Sequence, residues 1–142
     1  MPTAELGIET QPTAEQIQYL EDRLYEFNVQ ATGINDGDYL AIFERDANGR
    51  ITAGLCGTTW GGCLEIRQLW VDAPLRGAGM GSRMLAAAEA EARLRGCEQI
   101  LLSTFSFQAP DFYARFGFEV QSVVTDYPRG HRSLQLLKRL TR

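Results

Sequence analysis

This sequence contains a glycine-rich turn whose residue types and spacing suit an anion, and side chains whose types can move protons. Tyr113 has a hydroxyl that can act as a general acid, and Glu65 has a carboxylate that can act as a general base. Between them lies the segment Arg76–Ser82, with glycines at every second position from Gly77 to Gly81. A glycine-rich turn that opens a helix bares backbone N–H groups at the positive end of the helix dipole. The sequence therefore predicts an anion site, suited to a phosphate, at this turn.

The spacing of the glycines excludes two common nucleotide-binding motifs. The turn lacks the Gly-Lys-Ser/Thr ending of a P-loop, and glycines at positions 77, 79 and 81 do not give G-x-G-x-x-G. A tight strand-to-helix connection without any ligand is the plain alternative. What remains is the pattern R-G-x-G-x-G, shortly after an apolar strand that ends in Val71-Asp72.

The elements around this turn form a predicted strand–helix–strand unit. Leu69–Val71 ends the first strand. The helix that follows has an apolar stripe that includes Leu85 and Ala88, and Gly96 is typical of a C-cap. Residues 99–104 form an apolar run without alternation, which predicts a fully buried strand. Because two strands joined by a helix are normally parallel neighbours, these two should lie side by side.

Three antiparallel strands are predicted before the turn, over Tyr39–Arg45, Arg50–Trp60 and Cys63–Val71. The dipeptide Gly61-Gly62 between the last two is typical of a two-residue hairpin turn. Such a turn pairs Trp60 with Cys63, and it sets Cys56 opposite Arg67.

Further elements are predicted at both ends of the chain. Thr13 can cap a first helix, Gln16 completes a capping box, and the helix should fade near Asn28. Its apolar residues recur at helical spacing, which predicts a buried face. The remaining elements are a short strand over residues 4–9, a short helix over Ala109–Phe116, and a closing antiparallel pair, Phe118–Val124 and Ser133–Arg139. Together these elements predict an α/β fold with a mixed, centrally parallel sheet.

Composition restricts the classes of protein to which the chain can belong. Its 142 residues are 44% hydrophobic and 23% charged, which suits a single globular domain over residues 1–142. A net charge of -4 argues against a nucleic-acid surface, and no apolar run is long enough to cross a membrane. Three cysteines argue against a disulfide framework, and one histidine leaves too few ligands for a zinc site. The first residues lack signal-peptide features, so we expect a cytoplasmic protein.

Two segments of the sequence resemble motifs of the GNAT superfamily, the acyl-CoA-dependent N-acetyltransferases. The pyrophosphate-binding pattern of that family is Arg/Gln-x-x-Gly-x-Gly/Ala, and Arg76, Gly79 and Gly81 occupy it in register. The segment Phe112–Phe118, FYARFGF, resembles the family's F-Y-x-x-x-G-F. The resemblance runs from about Asp38 to the C-terminus. It implies a GNAT-like mixed β-sheet whose central parallel strands splay apart between flanking helices.

The resemblance implies acetyl-CoA as the cofactor and assigns residues to it. Backbone N–H groups of the glycine-rich turn would bind the pyrophosphate, and the Arg76 side chain would add charge-assisted contacts. Main-chain groups left unpaired on a splayed strand would hold the pantetheine arm and the thioester carbonyl. The predicted cofactor-binding residues are Leu69, Trp70, Val71, Arg76, Gly77, Ala78, Gly79, Met80, Gly81, Ser82, Gln108 and Phe112, with Ser106 as an alternative to Gln108.

The resemblance also gives the two proton-transfer groups their roles. In similar enzymes the tyrosine at the position of Tyr113 points its hydroxyl at the sulfur of CoA, which makes it the predicted general acid; half-buried packing is the alternative. Glu65 lies six residues before Val71, where GNAT members that use a glutamate base have that residue. The alternative for Glu65 is a surface carboxylate opposite Thr58, with water molecules taking the proton instead.

The acceptor is expected in a pocket built from three parts of the chain. The predicted acceptor-binding residues are Tyr25, Asn28, Trp60, Asp126, Tyr127 and His131, with Asp36 in the loop after the first helix. The last three of the six belong to the link between the closing strands, and loops are where specificity usually resides. A plain turn is the alternative for any one of them. The acidic balance of the chain mildly favours a cationic amine.

Two functions are compatible with these features. The first is an N-acetyltransferase that moves an acetyl group from acetyl-CoA to a primary amine of a small molecule, or of a peptide, by direct attack in a ternary complex. The second is a non-catalytic acyl-CoA-binding module, which needs the glycine-rich turn but neither Tyr113 nor an acidic base. Because both residues are present, the sequence favours the enzyme. A homodimer is compatible with the resemblance, and nothing in the sequence names the amine or the preferred acyl chain.

Overall fold

The structure is a computed structural model that describes residues 5–140. The chain divides into two units, Met1–Asn35 and Asp36–Arg142. The expectation of one domain over the whole chain therefore stays a prediction. No helix within residues 5–140 is long and apolar enough to span a membrane.

The elements alternate as expected for a mixed α/β fold. In chain order they are α1 (Ala14–Thr32), β1 (Asp38–Arg45), β2 (Ile51–Trp60), β3 (Cys63–Val71), α2 (Met80–Leu94), β4 (Gln99–Phe105), α3 (Pro110–Ala114), β5 (Glu119–Thr125) and β6 (Arg132–Arg139). A single turn of 3-10 helix, Ala73–Leu75, lies between β3 and α2.

The first unit consists mainly of α1, whose start was predicted more closely than its end. The Thr13 side chain accepts a hydrogen bond from the N–H of Gln16, whose side chain accepts one from the N–H of Thr13, so the capping box is confirmed. The helix ends later than predicted, at Thr32, where Gly33 takes up a φ of 74°. No residue of α1 is buried, so the predicted buried face is not confirmed in this unit. The predicted strand over residues 4–9 is wrong for residues 5–9, because no strand pairs with them; residue 4 lies outside the described residues.

The second unit is built on one six-stranded sheet of order β1-β2-β3-β4-β6-β5. All neighbouring strands are antiparallel except β3 and β4, which are parallel. The predicted parallel pair on either side of α2 is therefore confirmed. The closing antiparallel pair, now β5 and β6, is confirmed as well.

The core of the second unit lies between α2 and one face of the sheet. Leu55 and Leu64 from the sheet are fully buried, and Leu85 and Ala88 from α2 are at most 2% exposed. The prediction that β4 is buried on both sides is wrong. Its residues alternate, with Ile100, Leu102 and Thr104 buried and Ser103 exposed, because α2 covers only the face toward which the first three point.

A β-bulge divides β3 into two parts. Near the turn the hairpin has the predicted register, with Trp60 opposite Cys63. The register then shifts between Gly57 and Cys56, so that Cys56 lies opposite Gln68 rather than Arg67. A bulge adds one residue to one strand and bends it. The prediction for Cys56 is therefore wrong by one position.

The bulge coincides with the point at which β3 and β4 separate. Their parallel register runs from the pair Cys63–Gln99 to the pair Ile66–Leu102. Beyond it, β4 continues to Phe105 beside β6, whereas Leu69–Val71 stays paired with β2. The predicted splay of the central parallel strands is thus confirmed.

Gly57 permits the close approach of β2 and β3 at the bulge. A Cβ at this position would clash with the carbonyl oxygen of Glu65 and would lie 3.0 Å from the Cα of Ile66, so a backbone atom would have to move. We therefore expect Gly57→Ala to lower the free energy of unfolding by about 3 kcal/mol, the upper end of the usual cost of overpacking. Denaturant unfolding of the purified variant measures this loss.

Gly54→Ala, in the same strand, is the matched control for that substitution. Its Cβ would meet the ring of Phe43 at 3.1 Å and the carbonyl oxygen of Ile42 at 3.3 Å. Because a ring can turn aside, its cost should be clearly smaller. Equal losses in the two variants would show that Gly57 has no special part in the bulge.

Candidate active site

The glycine-rich turn places backbone donors at the start of α2. The helix begins at Met80, and Gly79 is its N-cap, with a φ of 85°. Among residues 5–140 no side chain caps this helix, so its first N–H groups are available to an anion. A Cβ on Gly77 or on Gly79 would meet no heavy atom within 4 Å. The space beside the turn is therefore open.

Side chains on both sides of the 3-10 turn connect it to the sheet. The Nε of Arg76 donates a hydrogen bond to the carbonyl oxygen of Val71 at 2.8 Å. Asp72 accepts from the N–H of Ala73 at 2.9 Å and forms an ion pair of 3.2 Å with Arg50. These contacts fix the end of β3 relative to the start of α2. The pyrophosphate contact expected of Arg76 stays a prediction.

The last residues of β3 lie beyond its pairing with β4. The side chains of Leu69 and Val71 pack against the core. Trp70 lies on the opposite face and is 46% exposed. The carbonyl oxygen of Val71 is hydrogen-bonded to Arg76, and the cofactor contacts expected of the main chain of these three residues stay predictions.

Tyr113 lies on α3 and is partly buried against the core. Its ring contacts those of Phe112 and Phe118 edge-on, at centroid distances of 5.2 and 5.7 Å. Burial raises the pKa of the Tyr113 hydroxyl above its ordinary value, because the anionic form is poorly solvated there. No hydrogen bond to this hydroxyl occurs in the described part of the chain. The hydroxyl is thus protonated at neutral pH and free to donate.

Three other residues predicted to contact the cofactor have structural contacts of their own. Phe112 lies next to Gly81, where an added Cβ would meet its ring at 3.4 Å, so α3 packs closely on α2. The Oε1 of Gln108 accepts from the hydroxyl of Thr104 and from the N–H of Phe105, at 3.0 and 2.8 Å. The Oγ of Ser106 accepts from the N–H of a β6 residue at 3.0 Å. Their roles toward the cofactor stay predictions.

Glu65 lies on the opposite face of the sheet from Tyr113. Its neighbours Leu64 and Ile66 point into the core, against which Tyr113 packs, and side chains alternate along a strand. The Glu65 carboxylate is half exposed and lies 3.3 Å from the Nε of Arg67. The two residues predicted to transfer protons therefore lie on opposite faces of the sheet, near the splay.

The predicted acceptor-binding residues fall into three separate places. Tyr25 and Asn28 belong to α1 in the first unit, and their contact with an acceptor stays a prediction. Trp60 and Asp36 line a cavity of about 180 Å³ at the amino end of β3, together with Asp38, Thr59, Gly62, Arg95 and Cys97. Trp60 lies opposite Cys63, three residues before the last β3–β4 pair at Ile66, and its contact with an acceptor stays a prediction.

The third group, Asp126, Tyr127 and His131, lies in the loop between β5 and β6. The ring of Tyr127 contacts Phe105 at the carboxyl end of β4. This loop is therefore at the end of the sheet where the strands splay. Sequence reasoning missed Phe105 and Phe107 here, although their alternation directly after an apolar strand, F-S-F, was a visible signal.

The chain resembles known acetyltransferases in sequence and in structure. A family model described as the acetyltransferase (GNAT) family matches residues 6–118. A blasticidin-S acetyltransferase from Streptomyces morookaense is 45% identical over 101 residues, which is 70% of this chain and 74% of that protein. The crystal structure of an acetyltransferase from Bacillus cereus is 32% identical, with a TM-score of 0.76 over 94% of this chain and 98% of that one. An aminoglycoside 6'-N-acetyltransferase in complex with coenzyme A shares the fold, with a TM-score of 0.64 at 16% identity over 73% and 74% of the two chains.

Proposed function

This chain belongs to the GNAT family of acetyltransferases, and from that premise we propose that it transfers an acetyl group from acetyl-CoA to a primary amine of a small molecule. The observation that carries the proposal is the splay of β3 from β4 beside an uncapped helix N-terminus. The relative named for blasticidin S supports a small-molecule acceptor over a peptide. The neighbour in complex with coenzyme A supports the cofactor.

Three features of the site fit acetyl-CoA. The uncapped N–H groups at the start of α2 and the open space beside Gly77 and Gly79 suit a pyrophosphate. The main chain of Leu69–Val71, paired with β2 and not with β4, suits an arm that carries amide groups. The Tyr113 hydroxyl, without a hydrogen bond in the described residues, suits a sulfur that must gain a proton.

The proposed roles of the side chains follow from their protonation and position. Acetyl-CoA supplies, when bound, a thioester that an amine can attack and a thiolate that must leave. Tyr113 gives up the proton on its Oη to the leaving sulfur, since burial keeps this hydroxyl protonated at neutral pH. The Glu65 carboxylate accepts the proton of the attacking amine. A chain of water molecules is the alternative for this second transfer.

The two faces of the sheet support direct attack in a ternary complex. The core face carries α2, α3 and Tyr113, whereas Glu65 lies on the other face. We therefore place the cofactor on the side of the helices and the amine on the side of Glu65. The two reactants would meet in the gap between β3 and β4, and no covalent intermediate on the protein is needed.

The proposal is tested by thermal stability and by release of the CoA thiol. Acetyl-CoA and CoA should stabilise the protein where ATP does not, by about 2.7 kcal/mol at a concentration of 100 times Kd. Thiol release from acetyl-CoA should then depend on an added amine, with blasticidin S first in the panel. Stabilisation without thiol release for any amine would point to a non-catalytic binding module. Absence of stabilisation by either CoA species would contradict the cofactor site.

A further inference from the structure

Four rings lie together at the carboxyl end of β4, and the proposed proton transfers use none of them. Phe105 and Phe107 are stacked, with centroids 5.4 Å apart and planes inclined by 6°. Tyr127 meets Phe105 edge-on at 5.4 Å, and His131 meets Phe107 edge-on at 5.0 Å. We call these four residues the ring cluster. Because Phe107 and Tyr127 are 55% and 54% exposed, the cluster presents aromatic surface outward.

The ring cluster begins on the same face of the sheet as Glu65. Glu65 lies beside Leu101 in the parallel register, and alternation along β4 puts Leu101 and Phe105 on one face. Phe105 is four residues beyond Leu101, about 13 Å along the strand. Trp70 lies on this face too. It pairs with Gly54 of β2, whereas Glu65 pairs with Thr58, and Gly54 and Thr58 are four residues apart and therefore on one face of β2. The proposed base and the rings are thus separated by roughly the length of a small molecule.

Hydrogen bonds within the loop hold the Tyr127 and His131 side of the cluster in place. The N–H of Tyr127 donates to the carbonyl oxygen of His131 at 3.1 Å, and the N–H of His131 donates to that of Pro128 at 2.8 Å. Asp126 has a φ of 58° and accepts from the N–H of Gly130 at 2.8 Å. A non-glycine residue in this conformation persists only where its surroundings impose it. The loop is therefore pre-organised, which lowers the entropic cost of binding a ligand.

The other side of the cluster is fixed by the end of β4. Gln108 accepts from the N–H of Phe105, and Ser106 exchanges hydrogen bonds with the main chain of Arg132. These contacts hold the two phenylalanines on either side of Ser106. Phe107 therefore offers an exposed ring on a rigid base.

We propose that the ring cluster binds a flat, unsaturated ring in the amine acceptor, packed against Phe107 and Tyr127, while the amine lies near Glu65. The inference rests on the proposed function, and it narrows the acceptor to amines with such a ring a few bonds away. Aromatic rings attract one another through the negative charge of their faces and the positive charge of their edges. A saturated ring of the same size lacks this attraction, although it is at least as hydrophobic.

A matched pair of amines separates the two kinds of recognition. 4-Phenylbutylamine and 4-cyclohexylbutylamine have the same carbon skeleton and differ in the flatness of the ring. We expect kcat/KM for acetyl transfer to favour the phenyl compound by roughly tenfold, as aromatic pairing suggests. The preference should fall to about one in Phe107→Leu, which keeps an apolar side chain but removes the ring. Phe43→Leu, at an exposed phenylalanine of β1, should keep the full preference.

Binding of both amines is measured in parallel by titration calorimetry in the presence of CoA, so that recognition is judged without turnover. The inference is supported if the protein binds the phenyl compound more tightly and Phe107→Leu loses that preference. This result would support the ring cluster even if no amine releases thiol and the proposed function itself fails. Equal binding of the two amines, a preference for the cyclohexyl compound, or no measurable binding of either overturns the inference. So does a preference that survives in Phe107→Leu.

Discussion

Tyr113→Phe should lower kcat about 100-fold and leave the affinity for acetyl-CoA unchanged. The substitution removes one hydroxyl and keeps the ring, so the edge-on contacts with Phe112 and Phe118 remain. General acid catalysis by a positioned side chain typically contributes 10²- to 10⁴-fold, and the lower figure of about 100-fold applies where water can substitute in part. Steady-state kinetics at saturating amine measure kcat, and calorimetry with acetyl-CoA measures the affinity.

The pH dependence of kcat provides a second measurement for Tyr113. A general acid works only in its protonated form, and burial raises the pKa of this hydroxyl above its ordinary value of about 10. Its contribution is therefore present throughout the neutral range and is lost only as the pH rises through that raised pKa. Tyr19→Phe, which removes an exposed tyrosine hydroxyl from α1, should leave kcat unchanged. A kcat for Tyr113→Phe within twofold of the wild type would exclude the residue from the chemical step.

Gly79→Glu should lower the affinity for acetyl-CoA by more than about 100-fold. The new side chain would enter the open space beside the turn and bring a negative charge to the N–H groups proposed for the pyrophosphate. Like charges brought together in a binding site cost several kcal/mol, and each 1.4 kcal/mol is a factor of about ten in Kd. Calorimetric titration of the folded variant with acetyl-CoA measures the loss.

Gly96→Glu is the matched control at the other end of the same helix. Gly96 has a φ of 79°, close to the 85° of Gly79, and it too has open space where a Cβ would point. The backbone strain and the added charge are therefore alike, although the helix dipole favours a carboxylate at Gly79 and disfavours one at Gly96, so the two variants are compared by affinity once each is shown to fold. An equal loss of affinity in both variants, or normal affinity in folded Gly79→Glu, would place the cofactor elsewhere.

Elements with local signals were predicted well from the sequence. The capping box at Thr13 and Gln16 fixes the start of α1, and Gly61-Gly62 fixes the first pairs of the β2–β3 hairpin. The capping box and the hairpin turn depend on residues within a few positions of each other, which a sequence displays directly. The splay, in contrast, followed only from the family resemblance.

Features that depend on contacts between distant segments were missed. The register error at Cys56 arose because the bulge depends on a close approach of Gly57 to the main chain of β3. A glycine in a strand is compatible with a bulge, but it does not show which of the two paired strands will contain the extra residue. The ring cluster joins Phe105 and Phe107 to a loop some twenty residues later. Trp60 lies opposite Cys63 at the amino end of β3, and its contact with the acceptor stays a prediction.

The carboxyl half of β3 has the character of an edge strand inside a sheet. β3 and β4 are the third and fourth of six strands, yet Leu69–Val71 has a strand partner on one side only. Exposed strand edges attract any chain that can complete their hydrogen bonds, and bound peptides often do so. On the proposed function, the amide-bearing arm of the cofactor would act as a temporary strand. Substitutions that extend β3–β4 pairing past the bulge should therefore make the apoprotein more stable and the enzyme worse, a trade-off between folding and activity.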